Sequence, residues 1–421
     1  MSTLASKYKA VRSMTRSLAE SLSAEDQMVQ SCPEASPVKW HQAHTTWFFE
    51  TFVLRTFVAD YRPFHEEFHR LFNSYYISLG EEIAERKLRS SFSRPSLDEI
   101  LAFRAYVDRE MERLLTHSSD AEVSRRIVLG LNHEQQHQEL ALTDVKHAFF
   151  SNPLQPSYAS DALPEERAHS VPKLRWLNFE GGLTEIGSSA KTEDPLGFCF
   201  DNETPRHRVY LEPFQITSRE ATCREYLAFM SDDGYTRPGL WLSDGWETVK
   251  QAGWEAPLYW ERDADDETGW RVFTLRGWHG LSELVDTPVC HVSFFEADAF
   301  ARWRGCRLAT EAEWEFVSRQ APLRGNLLGS GKLHPAMANG KEVDQLFGDC
   351  WEWTSSPYVG YPGYKPLPGA LGEYNGKFMS GQIILRGGSC VTPADHMRST
   401  YRNFFHPATR WQFTGIRLAT C

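Results

Sequence analysis

The sequence predicts a multidomain protein in which an α-helical domain precedes an α+β domain. Residues 1 to about 150 contain four long segments whose apolar residues recur with the 3.6-residue period of a helix. Residues 152–173 carry four prolines and little periodicity, which is typical of a linker. Beyond them, short β-like runs alternate with clusters of Gly, Pro, Asp and Trp. We therefore expect a helical domain over 1–151, a linker over 152–173 and an α+β domain over 174–421.

The four helical segments indicate a four-helix bundle. In SLDEILAFRAYVDREMERLLTHS, Ser96 is a good N-cap and the apolar residues from Ile100 to Leu114 lie on one face. The other segments are SKYKAVRSMTRSLAESLS, WHQAHTTWFFETFVLRTFV and EVSRRIVLGLNHEQQHQELALTDVKHAFF. Such bundles build metal sites from inward side chains on facing helices.

The second half indicates a loop-rich α+β domain of roughly 250 residues. Its β-like runs are RVYLEPFQI, GWRVFTL and QIILRGGS. Its clearest helical patterns are REATCREYLAFMSDDG and SFFEADAFARWRG.

Composition and charge narrow the class of protein. The net charge of −11 argues against a nucleic-acid or anionic-membrane partner and fits small-molecule substrates. The sequence has no apolar run of about 18 residues, so we expect no transmembrane helix. Its N-terminus lacks the apolar region of a secretory signal, and none of the eight cysteines forms C-x-x-C. We therefore expect a cytoplasmic protein with reduced thiols; nothing here indicates its oligomeric state.

The stretch NHEQQHQE contains H-E-x-x-H, the motif of helical zinc metalloproteases. On a helix, His133 and His137 point the same way and form half of a metal site, with Gln136 bordering their face. Glu134 lies about 100° from His133 by helix geometry. Glu139 lies about 200° from His137, which disfavours a site of two histidines and this carboxylate.

The H-E-x-x-H motif is short and occurs twice, since residues 65–69 read HEEFH. A histidine pair in a polar helix is often only a solvated face, so we expect at most one metal site. The strong periodicity around His133 and His137 favours that pair over His65 and His69.

A third histidine is available on another predicted helix. His44 is followed by Trp47, Phe48 and Phe52 on an apolar stripe, whereas His41 is expected to be exposed. Three neutral imidazoles from two helices would leave coordination positions open for substrate and O2.

These motifs resemble those of the sulfoxide synthases of ergothioneine biosynthesis over nearly the whole chain. WHQAH and HEQQHQE match the W-x-x-x-H and H-E-x-x-H-x-E motifs of a DinB-like bundle. The resemblance implies that His44, His133 and His137 bind iron. The second half is similar to the formylglycine-generating-enzyme fold, which is C-type-lectin-like, in FDNETPRHRVYLEPFQI, RLATEAEWEFVSR, GDCWEWTSSPY, LRGGSC and GIRLA. Cys390 has no nearby partner before Cys421, so formylglycine-generating activity, which needs a cysteine pair, is not expected.

The resemblance implies a reaction that uses nonheme Fe(II) and O2. It joins the imidazole carbon of Nα-trimethylhistidine (hercynine) to a thiol and oxidises the sulfur. Gln136 matches a residue that positions the substrate imidazole. In YRNFFHP, Asn403 and Phe404 match positions that hold the trimethylammonium group, and a cation over an aromatic face is a sound pairing.

The resemblance also bears on the thiol donor. Some members carry an acidic residue at the position of Phe405, and that residue binds γ-glutamylcysteine. The absence of an acidic residue here favours free cysteine as the donor. Arg86 and Arg89, spaced i, i+3, are positioned to clamp the donor's carboxylate, although a solvated basic helix face explains them equally well.

Two pairs of tyrosines compete for a catalytic role. Tyr75 and Tyr76 in FNSYYISLG match a paired-tyrosine loop that donates a proton in some members of the family. Other members place the catalytic tyrosine in the stretch that contains Tyr358 and Tyr361. We favour Tyr75 and Tyr76 for catalysis and Tyr361 for lining the pocket.

Three alternative functions stay open. The first is a zinc hydrolase with Glu134 as general base. The second is a DinB-like metal enzyme that uses another thiol or unmethylated histidine. The third is a non-catalytic binding module built on the lectin-like half, which would leave the three histidines without a role.

Overall fold

The chain forms two compact units in a computed structural model that describes residues 3–79, 84–163, 171–189, 197–340 and 342–420. The first unit comprises Met1–Tyr158, Thr192–Phe198 and Leu367–Tyr374. The second comprises Ala159–Lys191, Cys199–Pro366 and Asn375–Cys421. Cys421 and part of the predicted linker, residues 164–170, lie outside the described residues.

The first unit contains the four long helices that the periodicity predicts. In chain order its α-helices are α1 (Leu4–Ala19), α2 (Val38–Phe49), α3 (Arg55–Phe57), α4 (Phe68–Leu71), α5 (Leu97–His117) and α6 (Ala121–Ser151). A capping box between Ser96 and Glu99 starts α5, and the Asp120 side chain caps α6. Helix α2 continues into a π-helical turn over Glu50–Leu54. Short 3₁₀ turns cover Asp26–Met28, Ile77–Leu79, Arg86–Ser91 and Gly369–Glu373.

Helix α2 lies at the centre of the first unit. Every one of its residues is buried, and α1, α5 and α6 all pack against it. Gly130 of α6 allows close approach, because a Cβ there would lie 2.6 Å from the Phe49 ring and 3.0 Å from the Phe48 ring. The inner faces of α2 and α6 therefore meet along the segment that carries the histidines.

The second unit is built from short strands and helices, as predicted. Its strands are β1 (Trp176–Phe179), β2 (Gly182–Ile186), β3 (His207–Leu211), β4 (Phe214–Thr217), β5 (Trp260–Arg262), β6 (Trp270–Thr274), β7 (Gly277–Gly280), β8 (Arg307–Leu308), β9 (Trp351–Pro357), β10 (Ile383–Arg386), β11 (Asn403–Phe405), β12 (Thr414–Gly415) and β13 (Leu418–Thr420). Its α-helices are α7 (Cys223–Ser231), α8 (Ser243–Ala252), α9 (Leu281–Leu284), α10 (Phe294–Trp303) and α11 (Glu311–Ser318).

The strands form four small sheets among the described residues. Two are four-stranded, with strand orders β1-β4-β13-β8 and β11-β10-β9-β12. The others are the pair β2-β3 and the antiparallel meander β5-β6-β7. Strand β11 pairs antiparallel with β10, and Phe404 lies opposite Ile384. This pairing fixes the sheet-edge position of the predicted substrate residues.

Buried ion pairs hold the second unit together. Arg386 bonds Glu315 at 2.6 Å, Arg402 bonds Glu311 at 2.9 Å, and Arg417 bonds Glu352 at 2.7 Å.

Within the part of the chain that the structure describes, no helix has the length and apolar character needed to cross a membrane.

Candidate metal centre

Three histidines from two helices converge inside the first unit. His44 comes from α2, and His133 and His137 come from successive turns of α6. One ring nitrogen from each lies within 4.8 Å of the others, and the ring centroids are 4.6 to 4.9 Å apart. Among the described residues this is the one cluster of side chains with the spacing of a metal site. His44 and His133 are buried, and His137 is half-buried.

The chemistry of this donor set fits a divalent transition metal. Removal from water lowers the pKa of His133 to about 3 and lowers the pKa values of His44 and His137 well below the usual range. The rings are therefore neutral at physiological pH, which is the form that binds metals. Nε2 of His44 and both ring nitrogens of His133 are buried without a hydrogen-bond partner. An unsatisfied buried polar group costs about 1–3 kcal/mol, and a bound metal would satisfy two of these three atoms.

His44 is held rigidly from three sides. Its Nδ1 donates to the carbonyl oxygen of Phe72 at 2.6 Å, which leaves the lone pair on Nε2. Its ring is stacked between Trp40 and Trp47, with centroid distances of 4.5 and 5.4 Å. These contacts fix both the tautomer and the orientation of the ring.

The expectation that His41 is exposed is wrong. The side chain is buried, its Nδ1 lies 2.7 Å from Nδ1 of His137, and its Nε2 lies 3.0 Å from Oδ2 of Asp144. A prediction from apolar periodicity assumes that a helix has one solvent-exposed face. Helix α2 has none, because other elements surround it.

Glu134 is directed into an ion network of its own. It accepts hydrogen bonds from Arg12 (2.9 Å), Arg104 (3.0 Å) and the hydroxyl of Thr15 (2.6 Å). Burial raises the pKa of this carboxyl, but the two guanidinium groups outweigh burial and bring its pKa to about 2. A carboxylate paired in this way is a poor general base, which counts against the zinc-hydrolase alternative.

The second H-E-x-x-H lacks the geometry of a ligand pair. His65 is exposed, precedes α4 and stacks on Phe68 with a centroid distance of 4.8 Å. His69 lies within α4, and its Nδ1 accepts the indole N–H of Trp47 at 3.2 Å. The two rings therefore do not share one helical face.

Gln136 and Tyr374 lie beside the three histidines. The half-buried Gln136 accepts a hydrogen bond from the Tyr374 hydroxyl through Oε1. The Tyr374 ring meets the His133 ring edge-on, with centroids 5.5 Å apart. Tyr374 was not predicted from the sequence, because it lies far along the chain in a short turn without periodicity.

A carboxylate attaches the Tyr374 segment, Leu367–Tyr374, to the helical unit. Glu373 accepts the backbone N–H groups of Ile77 (3.0 Å) and Ser78 (2.9 Å) and the Ser78 hydroxyl. The carboxylate thereby caps the turn that follows the paired tyrosines and places its neighbour Tyr374 against His133.

The paired tyrosines occupy different environments. Tyr76 is fully buried against Trp47 and Phe52, with centroid distances of 5.5 and 5.1 Å, and burial raises its pKa well above the usual range. Tyr75 is half-buried, and its ring lies 6.3 Å from that of Tyr374. Tyr75 is thus linked to His133 through Tyr374.

The two arginines predicted as a clamp diverge. Arg86 is exposed and donates to the backbone carbonyl of Glu34. Arg89 is buried, donates to two serine hydroxyls, and places its guanidinium 3.4 Å from the centroid of Trp40. Burial lowers its pKa to about 9. Because Trp40 stacks on His44, Arg89 is the arginine of the two that lies near the metal centre.

The remaining predicted residues belong to the second unit. Asn403, Phe404 and Phe405 form β11; Phe404 stacks on Tyr358 at 4.0 Å, and Phe405 meets Trp411 edge-on at 5.7 Å.

Tyr361 is buried within the ion network of the second unit. Its hydroxyl donates to Glu311 (3.3 Å), and the guanidinium of Arg402 lies 4.0 Å from its ring centroid.

Comparisons with known proteins identify both halves. The sequence profile of the DinB superfamily matches residues 7–147, and that of the sulfatase-modifying factor enzyme 1-like domain matches residues 160–339 and 330–421. A protein of Mycolicibacterium smegmatis named hercynine oxygenase is 30% identical, over 99% of this chain and 98% of that protein. The hercynine oxygenase of Mycobacterium tuberculosis is 34% identical, over 69% of this chain and 70% of that protein. Ergothioneine biosynthesis protein 1 of Schizosaccharomyces pombe is 25% identical over 56% of this chain and 29% of that protein. With a DinB-type helical bundle, a domain of the sulfatase-modifying-factor class and full-length similarity of this kind, the chain belongs to the hercynine oxygenase family.

Proposed function

We propose that this protein is an O2-dependent nonheme Fe(II) sulfoxide synthase. It joins the thiol of cysteine to the imidazole carbon of hercynine and oxidises the sulfur, giving hercynylcysteine sulfoxide. The observation that carries this proposal is the set of three neutral, converging histidines with unsatisfied buried nitrogens. The names of two relatives, one similar over 99% and the other over 69% of this chain, support an oxygenase that acts on hercynine.

His44, His133 and His137 would hold the iron. Iron supplies binding of O2 and of a thiolate, together with one-electron chemistry, and three neutral ligands leave its charge available for anionic partners. The side chains around the site restrict access, since His44 and His133 are buried and His137 is half-buried.

Gln136 and the paired tyrosines orient the substrates in this proposal. We assign Gln136 to the substrate imidazole, because its amide lies one residue from His137 and Tyr374 fixes its orientation. Tyr75 and Tyr76 supply the proton donor in this proposal. The Tyr75 ring contacts Tyr374, which contacts His133, and the Tyr76 ring contacts Trp47, which stacks on His44.

The trimethylammonium group of the substrate needs side chains that attract a cation. We assign this role to Asn403 and Phe404 on β11, because aromatic faces attract quaternary cations. Tyr361 serves as a lining residue held in place by Arg402 and Glu311.

We propose free cysteine as the sulfur donor. Phe405 cannot form an ion pair with the amine of γ-glutamylcysteine. The buried Arg89 beside Trp40 is the arginine suited to the donor's carboxylate. In this proposal Arg86 contributes only its positive charge near Arg89.

A product assay by mass spectrometry tests the function. The Fe(II)-loaded protein is incubated in air with hercynine and either cysteine or γ-glutamylcysteine. A sulfoxide conjugate formed from cysteine and absent under nitrogen is the expected result. Product from γ-glutamylcysteine alone would overturn the donor assignment but keep the reaction. Absence of any conjugate, with zinc in the purified protein, would return the site to the hydrolase alternative.

A further inference from the structure

The three histidines of the metal centre differ in what lies behind them. His44 donates to a backbone carbonyl, which is neutral. His133 has no hydrogen-bond partner on either ring nitrogen within the described part of the chain. His137 is backed by a second imidazole, His41, and through it by the carboxyl group of Asp144. His137, the half-buried histidine of the three, is thus the one with an acidic group behind it.

His137, His41 and Asp144 form a row of hydrogen-bonded side chains. The position of each proton in this row follows from the hydrogen bonds of Asp144. Its Oδ2 receives the backbone N–H of Ser36 at 2.8 Å and is therefore an acceptor, whether or not a proton sits on the other oxygen. Nε2 of His41, 3.0 Å from the same Oδ2, must donate to it. In a neutral His41 ring, Nδ1 is then an acceptor, so His137 must donate its own Nδ1–H across the 2.7 Å contact. The lone pair of His137 is left on Nε2.

Burial keeps this row of hydrogen bonds in one arrangement. His41 and Asp144 are 3% and 5% exposed, so water does not compete for their hydrogen bonds. The row also joins the two ligand-bearing helices, because His41 lies on α2 while His137 and Asp144 lie on α6.

We propose that Asp144 and His41 form a positioning relay, which sets His137 in the metal-binding tautomer and makes it the strongest electron donor of the three ligands. A carboxyl group behind a metal-bound histidine raises the basicity of that ligand, and here the effect passes through one additional imidazole. The inference rests on the proposed metal site, since it concerns how one of the site's ligands is oriented.

Two substitutions separate the parts of the relay. His41→Phe keeps a flat buried ring but removes the acceptor of the His137 proton. We expect it to raise the dissociation constant for Co(II), used as the probe metal, about 10- to 100-fold. Asp144→Asn keeps an oxygen for Ser36 and His41 but removes the negative charge, so we expect a smaller increase. Both substitutions should shift the ligand-field absorption bands of the Co(II) protein.

The affinities are measured by chelator competition on the full chain. Asp108→Asn is the matched control, because Asp108 is a bundle carboxylate that bonds Tyr8 and Arg12 and does not contact the three histidines. It should bind Co(II) as the unaltered protein does. Thermal unfolding of each metal-free variant shows whether that variant folds. If one of the two relay variants fails to fold, the Co(II) affinity of the other variant tests the relay.

The outcomes separate the relay from the metal site. If the unaltered protein binds Co(II), His44→Ala abolishes binding, and both relay variants keep the original affinity and spectrum, the relay is wrong while the metal site stands. If His44→Ala has no effect on Co(II) binding, the proposed metal site fails, and the relay fails with it.

Discussion

Burial decides what individual side chains in this protein can do. The histidines of the metal centre are neutral because desolvation lowers their pKa values, whereas Glu134 stays ionised in the same interior because two arginines face it. The sequence predicted the three histidines through their i, i+4 spacing and an apolar stripe. It could not predict the burial of His41 or the place of Tyr374, because both depend on neighbours that are distant in the chain.

Replacement of Glu134 by glutamine tests the ion network next to the metal centre. The substitution leaves the buried guanidinium group of Arg104 without a counter-charge and leaves Arg12 paired with Asp108 alone. We expect the free energy of unfolding of the metal-free protein to fall by about 3–5 kcal/mol in urea denaturation. Glu122→Gln on the same helix is the control, because its salt bridges with arginines are exposed and should contribute less than about 1 kcal/mol. Equal stability of the two variants would show that the network is not structural.

The burial of Asp349 in the second unit should make the free energy of unfolding depend on pH in an unusual direction. Burial raises its pKa to about 7 in the folded protein, from 3.8 in the unfolded chain. Between these values the unfolded chain releases the proton first, so the free energy of unfolding decreases as pH rises, by about 4 kcal/mol in total.

Asp349→Asn should remove this loss. An asparagine oxygen can still accept from Ala336 and Asn326, and asparagine tolerates the φ of +57° at this position. We expect the variant to be more stable than the unaltered protein at pH 8 and similar to it near pH 4, as measured by urea denaturation. A variant that is less stable at pH 8 would contradict the raised pKa.

Helices were the elements that the sequence predicted best. The four long periodic segments became α1, α2, α5 and α6, because each buries a face against its neighbours. The end of α2 was less predictable, since its pattern continues through a π-helical turn. Strand pairing was not predictable, because partners such as β9 and β12 lie far apart in the chain. For the same reason, no local pattern placed Leu367–Tyr374 on the helical unit.

The contact between α2 and α6 can be tested at Gly130. An added Cβ would lie 2.6 Å from the Phe49 ring, so in Gly130→Ala either this ring or helix α2, which carries His44, has to move. Overpacking costs about 1–3 kcal/mol, and the better helix propensity of alanine returns about 1 kcal/mol. We expect a net loss of up to about 2 kcal/mol in the free energy of unfolding, together with weaker metal binding.

The matched control for this helix contact is Gly239→Ala, where an added Cβ meets nothing within 4 Å. This variant should keep both the stability and the metal affinity of the unaltered protein. Unchanged metal binding in Gly130→Ala, together with a loss of stability, would show that the spacing of the two helices does not limit the site.

At the scale of the whole molecule, the order of motifs was more informative than any single motif. H-E-x-x-H alone pointed equally to a hydrolase and occurred twice. Its combination with WHQAH and five motifs in the second half predicted the family that the relative similar over the full length then confirmed. For the whole chain, we propose that it carries one iron, held by His44, His133 and His137.

The most direct test of that claim is the iron content of the purified full-length protein after anaerobic loading with Fe(II). We predict about one iron per chain in the unaltered protein and in His65→Ala, whose side chain is exposed and away from the triad. We predict a loss of most of this iron in His44→Ala, because the other two ligands come from a single helix and form only half of a site. Iron content in His44→Ala equal to that of the unaltered protein would contradict the account.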